Sequence, residues 1–363
     1  MKPTPPIPLE RRHLPGLNQE VSALGAGCWT IGGRTTNGGV PIGWDDVDPE
    51  SAYAALVRAY ELGITLFDTA DVYGLGRSER LLGRLLMEVP RHRVTVSSKV
   101  GYFAGTGAHP YEPEQMHHQL RTTLRNLGTD RLDLYFLHSD NFGPNDMRLT
   151  HAVRQMQTFR RDGLIKAIGM RAPHEFAVEW ARGDDHRAEE TRRFLHRFEA
   201  IRPDVLSVRH NLLSPLYGND ETDIFAFAKV KGVGVVVKQA LGQGLLIGAH
   251  DPDAPRRFSR EDHRSRDPRF LSENLRLVHD ALTPIRERFG DTTQALARVA
   301  LRFVLAHAPD ATVLVGFRSA AQIETDVHCL GPPLDPDDFT LVRESLGALR
   351  TELAVRPRQA ADG

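Results

Sequence analysis

Strand-like and helix-like segments alternate along almost the whole chain, and this alternation narrows the possible folds more than any other feature. Short β-branched or aromatic runs fall at residues 21–29, 64–70, 94–100, 132–138, 165–170, 204–208, 233–238 and 311–315. Helical spacing of apolar residues fills most of the gaps, at 51–63, 78–89, 112–128, 149–162, 189–201, 223–231, 292–307 and 320–329. Runs such as VGVVVK are continuously apolar, as strands covered on both faces should be. Eight alternating βα units predict a closed (β/α)8 TIM barrel of the α/β class, with a doubly wound open sheet as the rival.

The 363 residues are long for one domain, but α/β barrels reach this length as a single unit. The expected organisation is a disordered leader over 1–20, a barrel over 21–353 and a flexible tail over 354–363. Two segments stand outside the repeat, a Gly-rich loop at 31–49 after the first strand and a charged loop at 242–269 after the seventh. Loops this long inside a domain are more often functional than idle. An extra helix is expected at 335–350.

Composition removes several classes of function. Lys+Arg 46 against Asp+Glu 47 leaves a net charge of −1, so no broad positive field draws in nucleic acid or an anionic membrane. No apolar run is long enough to span a bilayer. The two cysteines, Cys28 and Cys329, cannot form a disulfide scaffold and fit a reducing, cytoplasmic setting. There is no HExxH or Cys/His cluster, so no metal site is expected, and no GxSxG elbow. GQGLLIG lacks the full dinucleotide spacing and follows the seventh strand, which argues against a Rossmann reading.

Barrel chemistry sits at the carboxyl ends of the strands. The second strand ends at Asp68, with Tyr73 just beyond; the third ends at Lys99 and the fourth at His138. A carboxylate, a phenol, an ammonium and an imidazole on one rim suggest a device that protonates a carbonyl oxygen as it gains charge. Lys99 is expected to lower the phenol pKa of Tyr73, and Asp68 to hold Lys99. Each residue also has a plainer reading: Asp68 as a turn cap, Tyr73 as packing, Lys99–Asp68 as a structural pair. Trp29, at the end of the first strand, is either a pocket wall or core. The set holds no electron source, so an external donor is required.

GITLFDTADVYGLGRSERLLGRLL, VTVSSKVG, LRNLGTDRLDLYFLHSD and GLIKAIGM resemble, in order, successive motifs of the aldo-keto reductase superfamily. VSALGAGCWTIGG resembles its opening strand, GVGVVVKQALGQGLLIG its seventh-strand motif and VLVGFRSAAQIETDV its cofactor-binding close. The resemblance implies a barrel that reduces aldehydes or ketones, including sugars or biosynthetic intermediates, with NADPH. It casts Tyr73 as general acid, Lys99 as the group tuning it, Asp68 as partner of Lys99 and His138 as the residue orienting the carbonyl. It places Arg171, Ser207, Lys238, Gln239, Leu241, Gly242, Gly244, Gly316, Arg318, Gln322 and Asp326 around the cofactor. The planar donors of Arg318 suit a 2′-phosphate.

The sequence departs from the family where nicotinamide is held. Met170-Arg171 stands for the common Ser-Asn, Ser207 for Gln, Lys238 for a stacking aromatic and Asp326 for Asn. Those losses keep open a second expectation, a nucleotide-sensing or partner-binding relative without turnover. The expected partner is otherwise a small carbonyl compound.

Overall fold

Eight parallel strands close into one barrel among the residues described in this computed structural model, 9–103, 105–347 and 349–350. In chain order, β1 (Arg11–Leu14) and β2 (Gln19–Ser22) form an antiparallel hairpin before the first barrel strand, β3 (Leu24–Gly27). A second small hairpin, β4 (Thr36–Asn37) with β5 (Val40–Pro41), lies in the loop before α1 (Pro49–Glu61). The barrel continues through β6 (Leu66–Asp68), α2 (Arg77–Leu86), β7 (Thr95–Val100), α3 (Pro113–Leu127), β8 (Leu132–Leu137) and α4 (Leu149–Arg161). Then come β9 (Ile165–Arg171), α5 (His186–Ile201), β10 (Val205–Arg209), α6 (Ile224–Lys231) and β11 (Gly234–Lys238). Two helices, α7 (Ser272–Ala281) and α8 (Thr283–Phe289), precede α9 (Thr293–His307), β12 (Ala311–Gly316), α10 (Ala320–His328) and α11 (Pro336–Ser345). β12 pairs with β3 to close the ring.

All eight expected barrel strands are present, and the open-sheet rival falls to the β12–β3 pairing. Helix starts follow their caps: the side chains of Asp48, Asp185, Asp223, Thr292, Ser319 and Asp335 accept backbone N–H groups at α1, α5, α6, α9, α10 and α11.

The interior of the barrel is packed solid by Leu66, Leu134, Phe136, Ala167, Val205, Val236 and Leu314. Its crowding explains Gly169, where an added Cβ would lie 2.1 Å from Cδ1 of Phe136. A larger apolar layer between strands and helices forms the outer core.

The segment read as a disordered leader is corrected from Leu9 onward. Leu14 and Val21 of the β1–β2 hairpin are fully buried against the interior residues and plug the bottom of the barrel. An added Cβ at Gly16 would meet the Asp204 carbonyl oxygen at 1.6 Å, so the hairpin turn rests directly on the chain entering β10. The open amino end of a barrel exposes apolar side chains, and burying them is what orders the hairpin. Residues 1–8 and the expected tail, 354–363, lie outside the described residues. Two further corrections concern regular structure. The 21–29 run is split, with β2 ending at Ser22 and β3 at Gly27, and α7 and α8 were not foreseen.

Candidate active site

Strand register fixes which polar side chains share the barrel mouth. Gly27 pairs with Asp68, Asp68 with Ser97, and Lys99 with Phe136 in adjacent strands. Across the ring, Ser207 pairs with Arg171 and Arg209 with Lys238. An open cleft of about 2060 Å³ occupies this end, and Asp68, Tyr73, Lys99, His138 and Trp29 all line it.

Lys99 Nζ donates to Asp68 Oδ2 at 2.6 Å and to the Thr69 carbonyl at 2.6 Å, while Ser97 Oγ donates to Asp68 Oδ1 at 2.5 Å. Burial pulls the Lys99 pKa down, but the charge and hydrogen bond of Asp68 oppose it and Lys99 is held above its ordinary value. Its ammonium lies 4.8 Å from the centre of the Tyr73 ring. Three successive left-handed residues, Gly74, Leu75 and Gly76, turn the chain sharply from Tyr73 into α2. At Gly74 an added Cβ would meet the Gly32 carbonyl oxygen at 2.1 Å, so the turn packs against the first loop. Ser78 ties the same corner down, donating to the Cys28 carbonyl and accepting from Thr69.

Lys99 acts on the phenol in the expected direction, but the net shift is upward. Burial dominates and pushes Tyr73 up to about 12, although Lys99 works against it. The residue is a neutral phenol across the physiological range, an acid with its proton in place. His138 is likewise neutral: burial, then the charges of Lys99, Lys238 and Arg171, press its pKa well below the usual imidazole range. Its Nδ1 is buried without a hydrogen-bond partner.

Aromatic rings wall this centre. Trp29 stacks on Tyr73 with centroids 6.1 Å apart, and its indole N–H donates to the Ile42 carbonyl at 3.0 Å. Tyr102 stands edge-on to His138 at 4.6 Å. His263 packs on Trp29 at 4.5 Å and on Trp44 at 4.8 Å. Trp29 is therefore a cleft wall. Sequence reasoning missed Tyr102, Trp44 and His263. Tyr102 stands just past the end of β7, as Tyr73 stands past β6, and that parallel was the available signal.

The two long loops meet over the mouth. Gly43 bridges to Asp262, Asp45 N–H donates to Asp262 Oδ2 at 3.0 Å, and His263 Nδ1 lies 2.8 Å from the Gly43 carbonyl. Asp262 is fully buried and paired with Arg264 at 2.6 Å, and Arg264 lies over Trp44. The charged run after β11 thus begins and ends in short helical turns, at 242–247, 263–266 and 268–270, with irregular chain between them.

Of the residues expected around the cofactor, Arg171, Ser207, Lys238, Gln239, Leu241, Gly244, Gly316, Arg318 and Gln322 line the cleft. Gly242 and Asp326 are not among the residues lining it. Gly242 is buried inside the turn, and Asp326 lies on the buried face of α10, its carboxyl pushed up to about 7 by burial alone. Gln322 Oε1 accepts the Arg318 N–H at 2.6 Å, and the Arg318 guanidinium donates to the Asp45 and Asp46 carbonyls. Burial and the nearby Arg256 and Arg264 lower the Arg318 pKa. Gln239 and Gln243 hold positive φ, and Gln239 Oε1 is buried without a partner. A curled backbone, an unsatisfied amide and three crowded guanidinium groups fit a bound nucleotide with its phosphates. No group of three or more His, Cys, Asp or Glu among the described residues is placed to hold a metal. No described helix is long and apolar enough to cross a membrane.

A closed barrel with this mouth is that of an oxidoreductase, and comparison with known proteins gives the family. Residues 23–346 match the Aldo/keto reductase family. The chain belongs to that family. It is 27% identical over 344 residues to an NADH-specific methylglyoxal reductase of Escherichia coli, covering 91% of this chain and 96% of that protein. It is 27% identical over 326 residues to an L-galactose dehydrogenase of Arabidopsis thaliana, covering 88% and 87%. The solved glycerol dehydrogenase of Gluconobacter oxydans superposes with a TM-score of 0.72 at 26% identity, covering 93% of this chain and 95% of that one.

Proposed function

We propose that the protein is an NADPH-dependent carbonyl reductase in which Tyr73 gives the proton to the carbonyl oxygen. The observation that carries this reading is the buried Lys99–Asp68 pair directed at the Tyr73 ring beside a neutral His138. A bound reduced nicotinamide would supply the hydride. The neutral His138 donates a hydrogen bond to the carbonyl oxygen and orients it. As negative charge grows on that oxygen, the fixed positive charge of Lys99 favours transfer of the phenol proton. Because Tyr73 is protonated up to about pH 12, the reductive direction needs no prior proton uptake.

Gln239, Leu241, Gly244, Gly316, Arg318 and Gln322 are the residues that would hold the nucleotide. Arg318, crowded by Arg256 and Arg264, supports a 2′-phosphate and hence NADPH. The free cysteines support a reducing, cytoplasmic setting. The reading is tested by following NADPH oxidation with short aldehydes, ketones and aldoses. Substrate-dependent oxidation is expected. Tight NADPH binding with no turnover on any carbonyl would favour a nucleotide-sensing role.

A further inference from the structure

Two cations at the substrate end of the cleft have no carboxylate partner among the described residues. Lys99 is paired with Asp68, but two more cations stand beside His138, at the ends of β9 and β11. The Arg171 guanidinium contacts Tyr102 Oη at 3.1 Å and His174 Nε2 at 3.1 Å, a phenol and an imidazole and not a carboxylate. These contacts use two of its five N–H donors and leave others for a ligand. The Lys238 ammonium makes no hydrogen bond or ion pair with a described residue. Its pKa is pulled down to about 7, first by burial and then by Arg171 and Lys99.

The placement is built. Asn37 Nδ2 donates to the Tyr102 carbonyl at 2.8 Å, fixing Tyr102 from the first loop. The Tyr102 ring then packs on His138 at 4.6 Å while its hydroxyl meets Arg171. Arg171 is thus held one side chain away from the imidazole that would orient a carbonyl. Arg187, which is paired with Asp185 at 3.3 Å, and Arg209 also line this part of the cleft, with Glu175 and Glu221 as the acids, so the charge at issue is that of Arg171 and Lys238. Glu221 is already engaged by Trp180 and by the Gly218 N–H. Uncompensated cations in a partly dry cleft carry a free-energy cost that a bound anion removes.

We infer that the natural substrate carries a carboxylate close to its reacting carbonyl, and that Arg171 is the residue that selects it. This rests on the reductase reading above and adds the class of substrate: an oxo acid or an aldehydic acid. The carboxylate is a spectator in the reaction. Hydride adds to the carbonyl carbon, the Tyr73 proton goes to the oxygen, the nicotinamide is oxidised, and a hydroxy acid leaves. Arg171 suits a carboxylate because a planar fork of donors matches its two oxygens. Lys238 adds positive charge nearby.

Binding of oxamate, an unreactive oxo-acid mimic, is measured by calorimetry on the NADP-loaded protein against its neutral ester, ethyl oxamate. Oxamate is expected to bind more tightly by roughly tenfold or more, and Arg171→Leu to abolish that preference. Arg171→Lys, which keeps the charge and loses the fork, is expected to restore only part of it. In turnover, the ratio of kcat/KM for glyoxylate over methyl glyoxylate is expected to exceed one and to fall in both variants. The inference is overturned if oxamate and its ester bind alike to the unaltered protein. It is equally overturned if the preference survives Arg171→Leu, or if glyceraldehyde 3-phosphate is favoured over glyceraldehyde while glyoxylate is not favoured over its ester. Failure of the reductase reading looks different: no carbonyl, charged or neutral, supports turnover, whereas oxamate binding needs none.

Discussion

Lys99 Nζ lies 2.6 Å from Asp68 Oδ2, with the two side chains only 6% and 5% exposed, on adjacent barrel strands whose ends meet at Tyr73. Such a pair is costly to break and of little net benefit to stability compared with apolar packing. Its place under the phenol argues that it serves the site.

Removing one partner alone leaves a buried charge. Asp68→Leu is expected to destabilise the fold by about 3–5 kcal/mol in urea unfolding. The double change Asp68→Leu with Lys99→Met is expected to recover much of that loss, because no charge is left unpaired. Equal losses in the single and double variants would contradict the pairing.

Acid stability has a definite sign. His210 is pressed down to about 3, by burial first and then by His307, and His138 is pressed the same way. The unfolded chain takes up protons near pH 6.5 that the native state refuses. Stability from these residues is therefore present above about 6.5 and lost as pH falls, by about 2 kcal/mol at pH 5 for His210. His210→Phe should flatten the fall in unfolding free energy between pH 7 and 5; an unaltered slope would count against a neutral His210.

Asp326 has the opposite sign. Its folded pKa is raised to about 7 by burial, above the ordinary carboxylate value near ~3.9, so stability is lost as pH rises between the two. Asp326→Asn is expected to raise stability at pH 8 by about 1–4 kcal/mol and to change little at pH 4. Thermal unfolding at the two pH values decides it.

Cofactor choice turns on Arg318. Arg318→Ala is expected to weaken NADPH binding by roughly tenfold or more while altering NADH affinity much less, since a charged hydrogen-bond partner of a 2′-phosphate is removed. Equal loss for both nucleotides would assign Arg318 to holding the Asp45–Asp46 carbonyls instead.

The barrel was readable because its signal is periodic. Continuous apolar runs such as 233–238 need no partner to be recognised as covered strands, and the end of each strand could be named to within a few residues. Asp68, Lys99 and His138 were legible by the same token, since strand ends converge in a barrel. The hairpin at Arg11–Ser22 was not legible: what orders it is Leu14 and Val21 entering a barrel floor assembled from distant segments. Tyr102 and His263 were missed for a related reason, because each joins the site through a loop contact, to Asn37 and to Gly43. The pKa of Tyr73 was misjudged because sequence order gave its cationic neighbour but not its burial.

The most direct measurement is carbonyl reduction by Tyr73→Phe, with nucleotide affinity followed separately by fluorescence. The substitution removes one hydroxyl and keeps the ring that stacks on Trp29. The account predicts that kcat falls by about 10²–10⁴ while NADPH binding is retained. Turnover equal to that of the unaltered protein would show that the proton comes from elsewhere.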